Sequence, residues 1–595
     1  MIGIYGIIAD KTSLEKHKRI KAFNKMSNDI DHKDFKNEYI NEDNFSIGIT
    51  YRKNNENKDL SLKRVEADFV IAFAGYGKFS GEKKLFWAKD IIDKIIPEFA
   101  KNGENILTNI EGSFCCIIFY HNRLVIVSDR LGSKNIFYYD NNNVFIFSPY
   151  VGGVLSTGLV KKEKNIDGAL QILTSGFFLD DSTLAKNINR FPAASIMTKS
   201  IKSLAKTKND RYWSMPETEG NIDKITPELL DNFKDKIRQS IYELDELEKR
   251  SAVSLSGGLD SRAIACFLAQ KQKLNTITYN MGDETKIARK IYKILNAKPY
   301  FITNKMIASQ DFAKSIFKTA KEQNIHTVIN QYFYLPLFKQ YIAEHKDICA
   351  IFDGIYMGIL FSAPYTYNKF DMSQFVKTYG RSLDYIATQL NVKHKDKIYS
   401  LYKTIYNNLS TQLDNADGVG KSQFFYATGR LRRYINECPS SRENYCYVFK
   451  PGYNYDLMDL SFSLSLKIRK GLLYTAMLKK LFPEVMSVKY KDSYGNREKT
   501  FYEKISDRYI NFRLRVSSAT QGLIKYSPYQ AGYFFIQNKR VKDYQEFFLD
   551  DNFMHEIYEG TFLSELYKRV LKKQYLLNEL QRVLFIQQFY MKYDF

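Results

Sequence analysis

A six-residue string, Ser256-Gly257-Gly258-Leu259-Asp260-Ser261, limits what this 595-residue chain can fold into more than any other feature. Before it, Ala252, Val253 and Leu255 read as a short buried strand. After it, Ala263, Ile264, Phe267 and Leu268 fall at helical spacing between Arg262 and Lys271. A glycine pair between strand and helix turns backbone N–H groups inward at the positive end of the helix, which makes an anion cradle. Ser256 and Ser261 add hydroxyl donors, whereas Asp260 repels phosphate unless a divalent cation lies between them. The string therefore implies a nucleotide with Mg2+. A bare Gly-Gly turn is an ordinary strand-to-helix connection, but the full string after an apolar strand is far more specific. It is not a Walker A loop, because no Gly-x-x-x-x-Gly-Lys-Ser/Thr occurs in the chain.

The length requires two or more domains, each with its own core. Up to about residue 205, short alternating apolar runs (Phe69 to Ala74, Phe114 to Tyr120, Leu124 to Ser128, Val144 to Phe147) are separated by polar turns such as Asp140-Asn141-Asn142-Asn143. One helical pattern, Ala88 to Phe99, interrupts them, so the expectation is a layered α+β domain over 1–205. Residues 206–225, rich in Lys, Thr and Asn, read as a linker. Thr226-Pro227 then starts a helix with Leu230, Phe233, Ile237, Ile241 and Leu244 on one face. From Ser251 the pattern alternates strand and helix, with strands at Asn275 to Tyr279 and Tyr300 to Ile302 and a helix at Asp283 to Leu295. That alternation predicts a parallel α/β sheet within a second domain, 226–595, whose remainder is mostly helical.

No apolar run approaches the roughly 18 residues that span a bilayer, and the first ten residues lack a secretory leader. The six cysteines show no Cys-x-x-Cys spacing and read as reduced, buried thiols, so the expected compartment is the cytoplasm. A net charge of +22 fits an RNA or acidic partner. The basic residues are not gathered in one tail, and lysines spread over solvated faces are the plainer account. No RNA-binding module is recognisable, so nucleic acid is not the expected partner.

Further segments in both domains carry a family resemblance. Together with the Ser256–Ser261 loop, which resembles the pyrophosphate loop of ATP pyrophosphatases, they make the chain resemble the asparagine synthetase family. In the first domain, Gly112-Ser113-Phe114 and Ser128-Asp129-Arg130-Leu131-Gly132-Ser133-Lys134 are similar to the family's Gly-x-Phe and Arg-Asp-x-Leu-Gly-x-Lys segments. Phe191-Pro192 and Tyr212-Trp213 also fall where the family has such pairs. In the second domain, Thr276-Ile277-Thr278-Tyr279 resembles the strand whose backbone reads adenine, and Asp283-Glu284 the pair that follows; helix capping is the alternative for that pair. Pro483 to Gly495 resembles the segment that carries a catalytic lysine, which falls here at Lys491.

The resemblance implies an Ntn-type amidotransferase-like sandwich followed by an ATP-pyrophosphatase domain. ATP and Mg2+ would be held by Leu255, Ser256, Gly257, Gly258, Leu259, Asp260 and Ser261, with Thr278 and Tyr279 at the adenine. Asp260 and Lys491 would be catalytic, and Asp260 and Asp353 would hold the metal. Two departures stand out. The family's N-terminal nucleophilic cysteine is Ile2 here, and its Asn-Gly-Glu segment is Ala74-Gly75-Tyr76, so glutamine hydrolysis is not expected. The third motif keeps Asp353-Gly354 but lacks the later Asp-Glu pair, leaving open whether Asp353 meets the metal or caps a turn. Arg430, Arg432 and Arg433 are either a solvated face or a grip on phosphate or carboxylate; Asp456 reads as structural. The implied activity is adenylation of a small-molecule or peptide carboxylate, with AMP and pyrophosphate released, for attack by ammonia or an amine. A catalytically inactive partner protein and a tRNA-directed ATP pyrophosphatase are the alternatives, and assembly as a homodimer stays open.

Overall fold

In a computed structural model of the protein the described residues are 2–10, 13–30, 34–53, 57–66, 68–201, 204, 207–279, 283–302, 335–380, 383–387, 390, 392–413, 415–490, 577–593 and 595. The short apolar runs of the first domain become strands β1 (Gly3–Ala9), β2 (Phe35–Asn41), β3 (Phe45–Arg52), β4 (Leu60–Glu66), β5 (Phe69–Phe79), β6 (Phe86–Trp87), β7 (Ile110–Tyr120), β8 (Arg123–Ser128), β9 (Phe137–Asp140), β10 (Val144–Ser148), β11 (Ile188–Arg190), β12 (Ser195–Ser200) and β13 (Thr207–Arg211). They form two antiparallel sheets, ordered β11-β9-β10-β1-β3-β2 and β13-β12-β8-β7-β5-β4, with β6 beside β5.

Period-two alternation places the layers. In β5, Val70, Ala72 and Ala74 face Ile4, Ile8, Ile47 and Ile49 of the other sheet, in a dry layer between the two. Their neighbours Ile71 and Phe73 face outward onto helix α2 (Ala88–Asn102) through Ile91, Ile92 and Ile95. On the far side of the first sheet, Tyr5 and Ile7 pack under α1 (Lys16–Ile30), α3 (Val151–Ser156) and α4 (Ile166–Ser175). The result is a helix–sheet–sheet–helix sandwich, as the α+β reading expected. Strand β13 pairs with β12 and lies inside the stretch 206–225 expected as a linker.

Helix α5 (Pro227–Leu247) starts where its proline and cap predict: Thr226 Oγ1 accepts from the Leu229 N–H at 3.2 Å. Its buried face includes Phe233, Ile237, Ile241 and Leu244. The parallel sheet follows: β14 (Ser251–Ser254), α6 (Leu259–Ala269), β15 (Asn275–Tyr279), α7 (Asp283–Ile294), β16 (Lys298–Ile302), β17 (Ala350–Phe352) and β18 (Tyr447–Phe449). The order β16-β15-β14-β17-β18 is doubly wound. The chain builds outward from β14 on one side and then returns to lay β17 on the other. The carboxyl ends of β14 and β17 therefore form a topological switch point, where open α/β sheets bind ligands.

Helices surround this sheet, among them α8 (Glu437–Arg442) and α9 (Pro483–Ser487). The last helix, α10 (Leu577–Lys592), does not stay with the second domain. It docks on α4 of the first, where Arg582 donates to the carbonyls of Leu173 (2.9 Å) and Thr174 (3.2 Å). All six cysteines are free thiols and five are buried. Among the described residues no helix is long and apolar enough to cross a membrane.

Candidate active site

The Ser256–Ser261 string sits at the switch point. The Leu255 N–H still donates to Ile277 O (2.9 Å), extending the sheet, and Thr278 Oγ1 donates to Leu255 O (2.9 Å), tying β15 to the start of the loop. The two serines brace the turn: Ser256 N–H donates to Ser261 Oγ (3.0 Å), the hydroxyls lie 3.0 Å apart, and Gly258 N–H donates to Ser256 Oγ (3.1 Å). Gly258 caps α6 with an ordinary φ of −84°. Its lack of a side chain supplies room, since a Cβ there would meet nothing nearer than Ser256 Oγ at 3.4 Å. Leu259, Asp260 and Ser261 form the first turn, whose N–H groups lack intrahelical acceptors.

A cleft of about 420 Å³ opens over this loop, lined also by Tyr279 from β15, Asp353 and Gly354 after β17, and Cys438 and Arg442 of α8. Burial, and then the facing Asp353, raise the Asp260 carboxyl to about 7. Its approach to the third motif is close: a Cβ on Gly354 would lie 2.8 Å from Asp260 Cβ, so only glycine fits between them. Two residues on, Tyr356 is held at φ 71°. That left-handed conformation is uncommon for a bulky side chain and tends to accompany functional loops.

Asp353 is engaged on both oxygens. Oδ1 accepts the Ile355 N–H (3.0 Å), an Asx turn, and Oδ2 accepts Arg442 Nη1 (2.9 Å). The guanidinium also reaches Ser254 Oγ (3.5 Å) and lies over the rings of Tyr279 and Phe338. The structure thus brings together Leu255, Ser256, Asp260, Ser261, Tyr279 and Asp353 around one cleft, with Thr278 behind it. Lys491 and the side chains of Asp283 and Glu284 lie outside the described residues.

Arg442 was invisible to sequence reading. It arrives at the sheet's carboxyl edge from a helix 89 positions beyond its partner, with no motif around it. Arg262 was also missed, although its place directly after the loop was a signal. Fully buried, it donates to the carbonyls of Val485 (3.2 Å), Val488 (2.7 Å) and Lys489 (2.8 Å), and to Gly257 O (3.3 Å). One guanidinium thereby joins the Ser256–Ser261 loop to α9 and the two residues that follow it.

Two of the three clustered arginines take neither expected role, while Arg430 lies over the rings of Tyr365 and Tyr434. Arg432 and Arg433 lie in a π-helical segment, Tyr426–Ile435, and are buried. Both pair with Asp181 of the first domain (3.1 and 2.8 Å), and Arg433 donates to Leu179 O (2.7 Å). Burial alone would raise Asp181, but Arg433 and Arg432 outweigh it and hold the carboxyl below its ordinary range. The two arginines dock domains. Asp456 lies 3.7 Å from Lys236, a contact within the second domain.

In the first domain a cavity of about 50 Å³ is lined by Ile2, Ala74, Gly75, Cys115 and Asn135. Ile2 offers no nucleophile there; its backbone N–H donates to Asn444 Oδ1 (3.1 Å) of the second domain. Burial raises the Cys115 thiol well above its ordinary value, so it supplies no thiolate in its place. Asp129, from the Ser128–Lys134 segment, is fully buried and accepts from the N–H groups of Phe114 (3.0 Å), Leu131 (2.9 Å) and Ser133 (3.1 Å), binding hairpin to turn.

Residues 82–213 match a family model described as a glutamine amidotransferase domain, and residues 233–335 one described as asparagine synthase. A putative glutamine-hydrolysing asparagine synthetase 2 of Methanocaldococcus jannaschii is 26% identical over 325 residues, 48% of this chain and 60% of that protein. Asparagine synthetase 2 of Bacillus subtilis, also named as glutamine-hydrolysing, is 24% identical over 219 residues, 34% of this chain and 28% of that protein. The aligned part thus spans less than two thirds of either relative. Among solved structures, glutamine phosphoribosylpyrophosphate amidotransferase from B. subtilis aligns with 51% of this chain and 92% of its own, at 8% identity and a TM-score of 0.24, too low to argue from.

Proposed function

Because the chain belongs to the asparagine synthetase family, we propose that its cleft uses ATP to activate a carboxylate for amide formation, without hydrolysing glutamine. The observation that carries this reading is the serine-braced loop at the switch point, with the buried Asp260 facing Asp353 across a cleft of nucleotide size. A carboxylate oxygen attacks the α-phosphorus of ATP, the α–β anhydride bond breaks, and pyrophosphate leaves with the electron pair. A nitrogen nucleophile then attacks the acyl carbon, loses a proton, and expels AMP. Carboxylate oxygen is a poor leaving group and AMP a good one, so the step spends ATP on what the barrier needs.

The chain's own groups divide the work. The loop and the first turn of α6 receive phosphate oxygens. Asp260 is the carboxylate that would hold Mg2+, and the ion would offset phosphate charge there; one or two carboxylates plus substrate oxygens are a usual donor set for it. Asp353, which Arg442 holds in place, would supply the second carboxylate. Lys491 is proposed, from the resemblance of its segment, to offset charge on the α-phosphate. Ile2 argues that nitrogen comes from ammonia or an amine.

Pyrophosphate release tests the reading, with Mg·ATP, a panel of carboxylic acids, and ammonium, amines or glutamine as nitrogen source. Turnover with ammonium or an amine, none with glutamine alone, and its loss in Asp260→Ala are expected. A second reading, an inactive partner protein, draws on the Arg442 grip on Asp353. Absence of turnover under every condition, with Asp260→Ala matching wild type in nucleotide binding, would establish it instead.

A further inference from the structure

Five residues of the first domain, Ile2, Arg52, Lys134, Asn135 and Arg190, converge on one short stretch of the second, and that stretch forms a wall of the cleft. Arg190 Nη2 meets Glu437 Oε1 at 2.7 Å, with both side chains nearly inaccessible. Lys134 Nζ meets Glu443 Oε2 at 2.9 Å, and the same carboxylate receives Lys450 at 3.2 Å. Arg52 donates to the carbonyls of Glu443 and Cys446 (the latter at 3.3 Å), and the Ile2 N–H donates to Asn444 Oδ1. Residues 437–446 are thus held on one side by the residue before β1, by β3 and β11, and by the turn after β8. On their other side Cys438, Pro439 and Arg442 line the cleft, and Arg442 holds Asp353. The wall between the first-domain cavity and the cleft is here a single helical turn, since Ser440, Glu443 and Asn444 line the former.

We infer that the first domain serves the second as a clamp: Arg190 and Lys134 are positioning residues that fix α8, and through it the Arg442–Asp353 pair at the nucleotide loop. A guanidinium on Glu437 and an ammonium on Glu443, buried against carboxylates at the two ends of α8, set its rotation as well as its distance. Rotating α8 about its axis would lift Arg442 off Asp353 and alter the charge facing Asp260. The retained first domain, with isoleucine at residue 2, then has a task in the cleft that needs no nucleophile. The relevance to ATP use rests on the function proposed above; the mechanical coupling does not.

The test compares full-length wild type with Arg190→Met, Lys134→Met, the conservative Arg190→Lys, and a control that breaks the exposed Lys63–Asp93 pair, Lys63→Ala. Amide hydrogen exchange is followed by mass spectrometry, and Mg·ATP affinity by calorimetry. In Arg190→Met and Lys134→Met, exchange is expected to rise at least tenfold over 437–446 and also over 353–357 and 255–261. Strands β5 and β7 should be unchanged, and Mg·ATP dissociation constants should rise five- to twentyfold. Arg190→Lys should recover part of both, and the control should match wild type. Faster exchange confined to 437–446, or unchanged exchange throughout, would overturn the clamp. If wild type bound no Mg·ATP, the proposed function would fail, and the exchange pattern alone would still decide the clamp. Lys134→Met keeps Lys450 on Glu443, so one variant stays folded even if Arg190→Met does not.

Discussion

Asp260 is a carboxylate whose charge the folded chain disfavours, and that has a consequence for pH. Its carboxyl is raised from 3.8 to about 7 by burial first and by Asp353 second. Below the unfolded value both states hold the proton and no penalty exists. Between the two values the folded state keeps a proton that the unfolded chain has released, so stability falls as pH rises; above about 7 the full penalty stays. Asp260→Asn should therefore raise the melting temperature of the nucleotide-free protein at pH 8 and leave it nearly unchanged near pH 4, a difference worth about 2–4 kcal/mol. Equal gains at both pH values would mean that the carboxyl is not strained by its surroundings. Gly354 makes a steric counterpart. An added Cβ would sit 2.8 Å from Asp260 Cβ, so Gly354→Ala must push the third motif off the loop. Nucleotide affinity should fall about tenfold, or roughly 1.4 kcal/mol, with far-ultraviolet circular dichroism unchanged. Wild-type affinity would show that the close approach has no role in binding.

Between elements, Arg262 carries more than its helix position suggests. It leaves the first turn of α6 and spans to the carbonyls of Val485 in α9 and of Val488 and Lys489 just beyond it. Arg262→Leu removes the guanidinium from all three and leaves the buried Val488 carbonyl without it, and should cost about 2–4 kcal/mol, read from urea denaturation. Lysine keeps the charge but cannot fork to three carbonyls, so Arg262→Lys should recover less than half of the loss; full recovery would make charge, not geometry, the cause. The elements themselves were largely legible. Asn275 to Tyr279 is β15 to the residue, and Thr226-Pro227 opens α5, because alternation and capping are local signals. Strands β5 and β7 run further than their apolar runs, to Phe79 and from Ile110. There, Gly77 opposite Gly112 lets two backbones pair where no side-chain pattern announces a strand. The site was legible where it was contiguous, from Ser256 to Ser261. It was not legible where it depends on tertiary closure: Arg442 on Asp353 is a contact no periodicity encodes, and Arg432 and Arg433 found partners in another domain.

For the whole molecule, the same contacts decide whether two domains behave as two. A linker-tethered pair would unfold in separate steps, since interfaces within a chain are commonly small and polar. Here the interface carries buried ion pairs at separate places: Lys78 with Glu243 (2.9 Å, both under a tenth exposed), Arg190 with Glu437, and Lys134 with Glu443. Trp87 Nε1 adds a bond to Leu247 O at 3.1 Å. One continuous apolar cluster runs from Tyr5 and Phe23 through α4 to Val583 and Phe589 of α10 and on to Ala252, Ile277 and Ile351 of the parallel sheet. Unfolding either domain alone would leave those charges unpaired at a newly exposed surface and uncover part of that cluster, so neither half has an inexpensive way to open first. Scanning calorimetry should give one transition, with calorimetric and van't Hoff enthalpies agreeing more closely than in a two-step process. Lys78→Met should sharpen the distinction. It leaves Glu243 buried with only Gln239 (2.7 Å) as a partner and should lower the midpoint of that single transition by several degrees. If the trace instead split, with a first step matching loss of the antiparallel sandwich, the domains would be separable modules, and the contacts at 437–446 would be too weak to hold α8 in register.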